Sequence, residues 1–383
     1  MGAHAPGMRC SAPSRNTSVF RDRASFHAKT RSGRWSEKAP TRAAEAAALP
    51  EPKCESRPLR QTVDNSGQLN APKVSVIIPI YGQLGNLTTL IQKLNAQTVK
   101  PHEIILVDSS PGELNEVPDG ASYVKNPVDL ALSGDYNLGA QHATGDCLLL
   151  LQQDCVPARD TDLEDNLRLL TPGRVAVTSS VTLPRENWEQ YNFWGQALMA
   201  HWVGTVRQGI SGKFDLIRAD VFRKIGGYDT KAFSFAGEDM DLCLRLSEHG
   251  EVFVAQTQVI HLHNQSRKTA WTDLFKKRYQ LAESFGALFR KWGFRLYRIP
   301  YATYFSHHLA KYLYLLLPFC LIFPKYVIPF LFVTANLANV EVWRIRSPKK
   351  FSFLLLNPAL FLVGAAGALK GLVSGKQRYS VNK

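Results

Sequence analysis

The stretch KVSVIIPIY, at residues 73–81, decides the fold. Val74 to Ile80 is a nearly continuous run of β-branched residues, as is typical of a strand covered on both faces of a sheet. Apolar residues then recur at the spacing of one helical face: Leu87, Leu90, Ile91 and Leu94. A buried strand followed by an amphipathic helix indicates the first unit of an α/β sheet.

The same alternation continues along the chain. HEIILVDSS at 102–110 predicts a second buried strand, and ASYVKNP at 121–127 a weaker third. LSGDYNLGAQHATGD at 132–146 predicts a turn and a helix, and CLLLLQQD at 147–154 a fourth strand. This order is that of a doubly wound α/β sheet, which binds its ligands at the carboxyl ends of the strands.

Acidic residues stand at the ends of these predicted elements. Asp108 and Asp154 each follow a buried strand. Asp108 is placed to accept hydrogen bonds from a nucleotide, or simply to form a turn. Glu238, Asp239 and Asp241 crowd the first turn of a helix in GEDMDLCLRL. Helix capping explains one or two acids, whereas repulsion among three would raise one pKa, which suits a general base.

The bulk composition limits the partners. The 383 residues carry a net charge of +14 and the pI is near 9.5, which suggests an anionic partner. We expect no nucleic acid, because no nucleic-acid-binding motif is visible and the basic residues are divided between the two ends of the chain. Six cysteines without a C-x-x-C fit a reduced compartment. Residues 1–71 predict a disordered basic extension, with a membrane-touching arm as the alternative.

Residues 268–307 are predicted to form an amphipathic interface helix region. Apolar residues recur from Trp271 to Trp292 at i, i+3 and i+4 spacing. Basic residues are assigned to the opposite side: Lys276, Lys277, Arg290 and Lys291. The alternative is a surface helix that packs on the preceding domain.

Residues 308–383 are predicted to hold membrane-inserted helices and a basic tail. The apolar pieces at 312–323, 326–340 and 353–369 are each shorter than the roughly 20 residues of a full span. The first two together would cross once with a kink, or enter and return as a hairpin. A buried pair of soluble helices is the alternative.

Five ordered stretches now make the chain resemble family 2 glycosyltransferases of the GT-A fold, most closely the rhamnosyltransferase-like bacterial members. They are VSVIIPIYGQ, EIILVDSS, NLGAQHATGDCLLLLQQD, RADVFRKIGGYD and GEDMDLCLRL. The resemblance implies a Rossmann-like mixed sheet flanked by helices across residues 72–267. It also implies inverting transfer of a sugar from a nucleotide-diphosphate sugar, with Mg²⁺ or Mn²⁺ as cofactor.

The resemblance implies roles for particular residues. Asp239 would be the base that deprotonates the acceptor hydroxyl, and Glu238 would bind the acceptor or orient the base. Asp154 would coordinate the cation, together with Gln152 and His261. His263 would point the same way as His261 from a strand.

The nucleotide-sugar is expected to contact residues along the sheet edge: Pro79, Tyr81, Asp108, Asn137 and Gln153. Trp188 and Trp194 lie where the family builds its acceptor side, and would stack on sugar rings. A hydrophobic subdomain or a membrane-facing lip is the alternative for these two tryptophans.

Two departures weaken the inference of a metal. Serines follow Asp108 where the family has a second acid, and Gln152 replaces the first acid of its D-x-D. An amide can still ligate through its carbonyl oxygen, and Mg²⁺ often needs only one or two protein carboxylates.

The sequence thus predicts an inverting hexosyl or deoxyhexosyl transferase at the inner (plasma) membrane, with its catalytic domain in the cytoplasm. Its acceptor would be a lipid-linked or membrane-proximal saccharide in cell-envelope polysaccharide assembly. The main alternative is a catalytically silent nucleotide-sugar-binding subunit. A nucleotidyltransferase would need a basic loop after the first strand, and YGQLGN at 81–86 has no basic residue. A transport component would need more spans.

Overall fold

A computed structural model describes most of the chain from residue 72 onward. The described residues are 72–82, 86–112, 116–127, 131–206, 209–234, 236–262, 268–298, 322–337 and 339–377. The extension predicted at 1–71, most of the apolar piece at 312–323 and His263 lie outside these residues.

Within the described residues, nine strands form one mixed sheet, in the order β3-β2-β1-β4-β8-β6-β9-β5 with β7 against β6. The strands are β1 Val74–Ile80, β2 Glu103–Asp108, β3 Ser122–Lys125, β4 Cys147–Leu150, β5 Cys155–Pro157, β6 Arg174–Leu183, β7 Gly204–Val206, β8 Asp215–Arg218 and β9 Glu251–His261. The first four strands confirm the predicted order, and the sheet as a whole confirms the mixed α/β fold.

The pairing pattern creates one functional edge. β1 runs parallel to β2 and β4, while β8 is antiparallel to β4 and β6, and β9 is parallel to β6. The carboxyl ends of β1, β2, β4, β6 and β9 therefore meet the amino ends of β5 and β8. Register places Asp215 opposite Leu150 and Cys155 opposite His261, so these residues share the edge predicted to bind ligand.

Helices cover both faces of the sheet. They are α1 Leu87–Asn95, α2 Ala131–His142, α3 Asp162–Leu169, α4 Arg185–Glu189, α5 Phe193–Met199, α6 Ala219–Lys224, α7 Glu238–Ser247, α8 Trp271–Trp292, α9 Pro324–Leu337 and α10 Phe353–Ser374. Successive strand residues point to opposite faces, so Ile77 joins one apolar core and Ile78 the other. Each fully buried aliphatic side chain contributes about 1.5–3 kcal/mol.

Helix α8 packs on the sheet domain. Phe285 and Leu288 belong to the same apolar core as Leu242 of α7. The prediction that Lys277 and Lys291 lie on a separate basic face differs from what the structure shows. Lys277 is half-buried, and the Lys291 ammonium lies 3.0 Å from a carboxylate oxygen of Asp229.

One described helical stretch, Pro348–Ser374, is long and apolar enough to cross a membrane. It has 27 residues and a mean hydropathy of 1.8, and 44% of its most apolar window is buried inside the protein. Helix α9 is apolar but shorter. By length and composition alone, a buried core helix passes the same criteria, so the packing of this stretch decides its interpretation.

Candidate active site

The predicted metal corner forms where β4 ends and β9 ends. The Nε2 atom of His261 lies 3.1 Å from a carboxylate oxygen of Asp154. Ligand atoms of Asp154, Cys155 and His261 all lie within 4.8 Å of one another. The Cys155 thiol is buried, and thiolates suit softer metals than Mg²⁺ or Mn²⁺. Asp154 and His261 are therefore the better pair of candidate ligands.

The two glutamines before Asp154 make different contacts. The amide of Gln152 is 3.5 Å from the carbonyl oxygen of Ser211, so this side chain reaches toward the turn that precedes β8. Gln153 accepts from the backbone N–H of Tyr81 at 3.1 Å and donates to the carbonyl of Tyr81 at 3.3 Å. Gln153 therefore joins the end of β1 to the turn between β4 and β5, and its predicted nucleotide contact stays a prediction. Metal ligation by Gln152 stays a prediction.

The predicted nucleotide residues of β1 and β2 divide into buried and exposed groups. Pro79 is buried within β1 opposite Val107, so its ring belongs to the core and not to the predicted nucleotide site. Tyr81 follows the strand and is 56% exposed, as a base-stacking ring would be.

Asp108 is buried and internally paired. Its carboxylate accepts from the Ser110 N–H at 2.8 Å, the Tyr123 hydroxyl at 2.8 Å and the Lys125 ammonium at 3.0 Å. Burial alone would raise its pKa, but these hydrogen bonds outweigh it and the pKa is lowered. These bonds hold the β2 loop and leave acceptor capacity on the carboxylate, which has roughly four acceptor positions, so the nucleotide contact of Asp108 stays a prediction.

Asn137 holds a turn. Its amide donates to the carbonyl of Tyr228 at 2.9 Å, and its oxygen accepts from the N–H of Tyr228 at 2.8 Å. We therefore correct its predicted nucleotide contact to a structural role. The turn places the Tyr228 hydroxyl 3.3 Å from a carboxylate oxygen of Asp239, so Asn137 acts on the site through Tyr228.

The acids predicted to be catalytic begin helix α7. Gly237 precedes them with φ 88°, a left-handed conformation that glycine adopts without strain. Glu238 is buried and Asp239 half-buried. One oxygen of Glu238 is buried without a hydrogen-bond partner among the described residues.

The pKa values of both acids are raised. Burial, and then the charge of Asp239, raise the pKa of Glu238. Burial also raises the pKa of Asp239, although Lys213 and the Tyr228 hydroxyl oppose the rise. Because a buried pair resists carrying two negative charges, the raised pKa values favour a pair that holds one proton. The general-base role of Asp239 stays a prediction.

A turn that the sequence did not reveal presents Lys213 to these acids. One oxygen of Asp215 accepts the backbone N–H groups of Ser211 and Gly212, at 2.7 and 2.6 Å. The hydroxyl of Tyr136 donates to the carbonyl of Gly212 at 2.6 Å. Burial raises the pKa of Asp215 to about 7, and its second oxygen has no hydrogen-bond partner among the described residues. The turn is thus fixed from two sides.

A second cation reaches the site from α8. Lys277 lies close enough to Glu238 for their charges to interact, and burial lowers the pKa of this ammonium. Its position was readable from the sequence, because it follows Leu274 by three residues and precedes Leu281 by four, which places it on the apolar face. Lys213 gave no such signal, since no periodic pattern covers GISGKFD.

The predicted acceptor tryptophans pack inside the protein. Trp188 is 1% exposed, and its indole N–H donates to the carbonyl of Gln196 at 2.9 Å. Trp194 is half-buried against Phe193 and Phe353, with ring centroids 4.8 and 6.2 Å away. The stacking prediction for Trp188 is wrong, because its ring has no accessible face, and the alternative of a hydrophobic subdomain fits both residues.

We expect Trp188→Phe to weaken the fold without changing acceptor binding. The variant leaves the Gln196 carbonyl without its donor, which costs about 1–3 kcal/mol in the free energy of unfolding. Urea unfolding measures this cost. Trp271→Phe is the matched control, because Trp271 is 54% exposed and the change should stay within about 0.5 kcal/mol. A raised acceptor KM in Trp188→Phe at unchanged stability would restore the stacking role.

Comparisons with known proteins agree with this geometry. Residues 75–226 match the family model Glycosyl transferase family 2. The O-antigen biosynthesis protein RfbC of Myxococcus xanthus is 27% identical over 231 residues, which are 51% of this chain and 18% of that protein. The O-antigen chain rhamnosyltransferase RfbN of Salmonella typhimurium is 22% identical over 225 residues, 53% of this chain and 70% of that protein. This chain thus spans less than a fifth of the first relative and most of the second.

A solved structure has the same fold. It is the mannosyltransferase PcManGT from Pyrobaculum calidifontis, in complex with GDP-Man and Mn²⁺, with a TM-score of 0.50 and 16% identity. The match covers 78% of this chain and 88% of that one. The chain therefore has a GT-A glycosyltransferase fold. Residues 75–226 form the core of a family 2 glycosyltransferase domain, similar to rhamnosyltransferase-like bacterial members of that family.

Proposed function

We propose that the protein is an inverting glycosyltransferase that moves a hexosyl or deoxyhexosyl unit from a nucleotide-diphosphate sugar to a saccharide hydroxyl. The carrying observation is the Asp239 carboxylate, held by Tyr228 beside a buried Glu238. Burial, and after it the nearby charges of Asp239 and Asp154, raise the pKa of the Tyr136 hydroxyl, so the proposed base and the proposed cation site lie in one region of the sheet edge.

The proposed transfer moves one proton, forms one bond and breaks another. Asp239 takes the proton of the acceptor hydroxyl, and the resulting oxygen attacks the anomeric carbon from the face opposite the diphosphate. The bond between that carbon and the diphosphate oxygen breaks as the new glycosidic bond forms, so the configuration inverts. Nucleoside diphosphate leaves with the bonding electrons.

Asp154 and His261 fit a divalent cation, because a carboxylate oxygen and an imidazole nitrogen lie 3.1 Å apart at the strand ends. Mg²⁺ and Mn²⁺ accept such ligands together with water and phosphate oxygens. When bound there, the cation would neutralise charge on the departing diphosphate. Lys213 adds a fixed positive charge in the same region, where Gln152 has replaced an acid.

We expect Lys213→Met to move the acidic limb of the kcat profile to higher pH. The base must be deprotonated, and Lys213 lowers the pKa of Asp239. Without that charge the pKa rises, so more alkaline buffer is needed to ionise the base. Steady-state rates across pH measure the shift. Lys224→Met, an exposed lysine of α6, should leave the profile unchanged, and an unchanged profile in Lys213→Met would contradict the assigned role.

Relatives named for O-antigen biosynthesis support a setting in cell-envelope polysaccharide assembly. We propose a lipid-linked or membrane-proximal acceptor, with the catalytic domain in the cytoplasm at the inner (plasma) membrane, where nucleotide sugars are available. The exposed apolar residues of α9 support a membrane partner.

The test is a donor panel. Purified full-length protein is incubated with nucleotide-diphosphate sugars, Mn²⁺ and saccharide acceptors, and mass spectrometry detects the product and the released nucleoside diphosphate. Transfer with an inverted anomeric centre supports the proposal, and retention overturns its mechanism. Donor binding without turnover across the panel would instead support a silent nucleotide-sugar-binding subunit, the alternative that Gln152 favours.

A further inference from the structure

The helix that is apolar enough to span a membrane is attached to the catalytic domain at both of its ends. At the amino end of α10, the ring of Phe353 packs 5.9 Å from the ring of Phe193 and 6.2 Å from that of Trp194. Just beyond the carboxyl end, the N–H of Gln377 donates to the carbonyl of Ala232 at 2.8 Å, and Gln377 accepts from the N–H of Ser234 at 3.3 Å. Residues 232–234 directly precede the catalytic helix α7.

Because of the length of α10, these two contacts determine whether the helix can cross a bilayer. Its 22 residues extend about 33 Å, which is close to the thickness of the hydrocarbon core. If the helix crossed a bilayer, its ends would lie on opposite sides. Both ends contact the same folded domain, so a crossing would require breaking one set of contacts.

The middle of α10 is held by backbone contact with α8. A Cβ on Gly286 would lie 1.9 Å from the carbonyl oxygen of Ala368, and a Cβ on Gly371 would lie 1.9 Å from that of Glu283. Neither position has room for a side chain, let alone lipid. Lys370 closes the interface with an ion pair of 2.8 Å to Glu283, which is 1% exposed.

The outer side of this pair is apolar and exposed. Helix α9 packs on α10 through Phe330, whose ring lies 6.3 Å from that of Phe361. Large apolar side chains that remain at least 45% exposed on or beside α9 and α10 are Ile322, Phe323, Tyr326, Ile328, Phe332, Val333, Leu337, Val340, Phe351, Leu355, Leu362 and Val373. Removing such an apolar surface from water is favourable by about 25 cal/mol per Å².

The charged residues of the two chain segments that carry this surface are almost all basic. Glu341 is the one acid among described residues 322–337 and 339–377, whereas the bases are Lys325, Arg344, Arg346, Lys349, Lys350, Lys370 and Lys376. Apolar exposure with a basic rim is the composition of surfaces that lie in the headgroup layer of anionic membranes.

We propose that α9 and the outer side of α10 form an in-plane docking surface for an anionic phospholipid leaflet, and that α10 does not cross the bilayer. The catalytic domain then stays on one side of the membrane, attached to this surface through both ends of α10. The inference rests on the proposed membrane partner and deepens it, but it is independent of the transfer chemistry.

Cysteine labelling tests the topology. In a background with Cys10, Cys54 and Cys320 changed to serine, the remaining cysteines are buried: Cys147, Cys155 and Cys243. Single probes are then added at exposed positions before and after α10, Lys349→Cys and Lys376→Cys, and on the catalytic domain, Glu186→Cys. An impermeant maleimide is applied to spheroplasts and to inverted vesicles.

The expected result is that all three probes react from the same side of the membrane. Reaction of Lys376→Cys or Lys349→Cys from the side opposite to Glu186→Cys would overturn the proposal. Sugar transfer by each variant is measured in parallel, so a wrong topology and a wrong enzymatic function give separate results.

Vesicle flotation tests the docking surface itself. Purified full-length protein should float with phosphatidylglycerol-containing vesicles, and much less with phosphatidylcholine vesicles. Ile328→Asp with Val333→Asp should reduce flotation at least tenfold, whereas Val117→Asp, an exposed valine of the catalytic domain, should not. Equal flotation of the α9 variant and the control, or none with anionic vesicles, would overturn the proposed surface.

Discussion

Asp239→Asn is expected to lower kcat by about 10²–10⁴-fold, the range that a positioned general base contributes. Asparagine keeps the size of the side chain and an oxygen for the Tyr228 hydroxyl, 3.3 Å away in the parent protein, but it cannot take a proton. Donor affinity should therefore change little. Single-turnover transfer and equilibrium donor binding measure the two effects separately.

Two matched variants sharpen this result. Glu238→Gln imitates a protonated glutamate, the form that burial and the neighbouring charge favour, so it should retain far more activity than Asp239→Asn. Glu248→Gln, at the exposed carboxyl end of the same helix, should be neutral. Full activity in Asp239→Asn would refute the base assignment, and equal losses in the two catalytic variants would mean that both acids ionise.

The second large effect is expected from Asp154→Ala. This change removes the carboxylate that directly precedes β5 and its 3.1 Å contact with His261. A bound cation contributes several kcal/mol to stabilising the negative charge that develops on the leaving diphosphate. We therefore expect kcat to fall about 100-fold or more, and the response of the rate to Mn²⁺ to be lost. Rates at a series of Mn²⁺ concentrations measure this effect, and electron paramagnetic resonance of free Mn²⁺ measures binding directly.

The control for this variant is Asp160→Ala, because Asp160 is an exposed acid whose ion pair with Lys93 spans 3.9 Å. It should keep the parent Mn²⁺ response. An unchanged Mn²⁺ response in Asp154→Ala would exclude the metal role of this corner. His261→Ala should weaken Mn²⁺ binding less than Asp154→Ala does, since the carboxylate carries the charge.

Much of the fold was predictable because its signals are local. Apolar runs such as 74–80 and 147–151 identify buried strands, and helical spacing identifies α1 and α8. Parallel strands direct their carboxyl ends to one edge, so the sheet alone placed Asp154 at the functional edge. The position of His261 beside it required the long strand β9, Glu251–His261, which runs parallel to β6.

The residues that fill the site were harder to predict, because their partners are distant in the chain. Asn137 and Tyr228 are 91 residues apart, and Gln153 and Tyr81 are 72 apart. Asn137 and Gln153 are polar residues near the expected nucleotide site, and the side-chain amide of each forms hydrogen bonds with the backbone of its distant partner. A sequence pattern shows that a polar group is present, but not which partner satisfies it.

By itself, the sequence determined the order of the first four strands and their helices and the ligand-binding edge, and its resemblance to a family singled out Asp154 and Asp239. The spacing of apolar residues and the direction of a strand are properties of short segments, so they can be read from the sequence without a structure. Tertiary structure alone decided that Lys213 faces the acids of α7, and that Trp188 is core. It also decided that both ends of α10 bind the catalytic domain, because close packing between distant segments selects which surface each side chain covers.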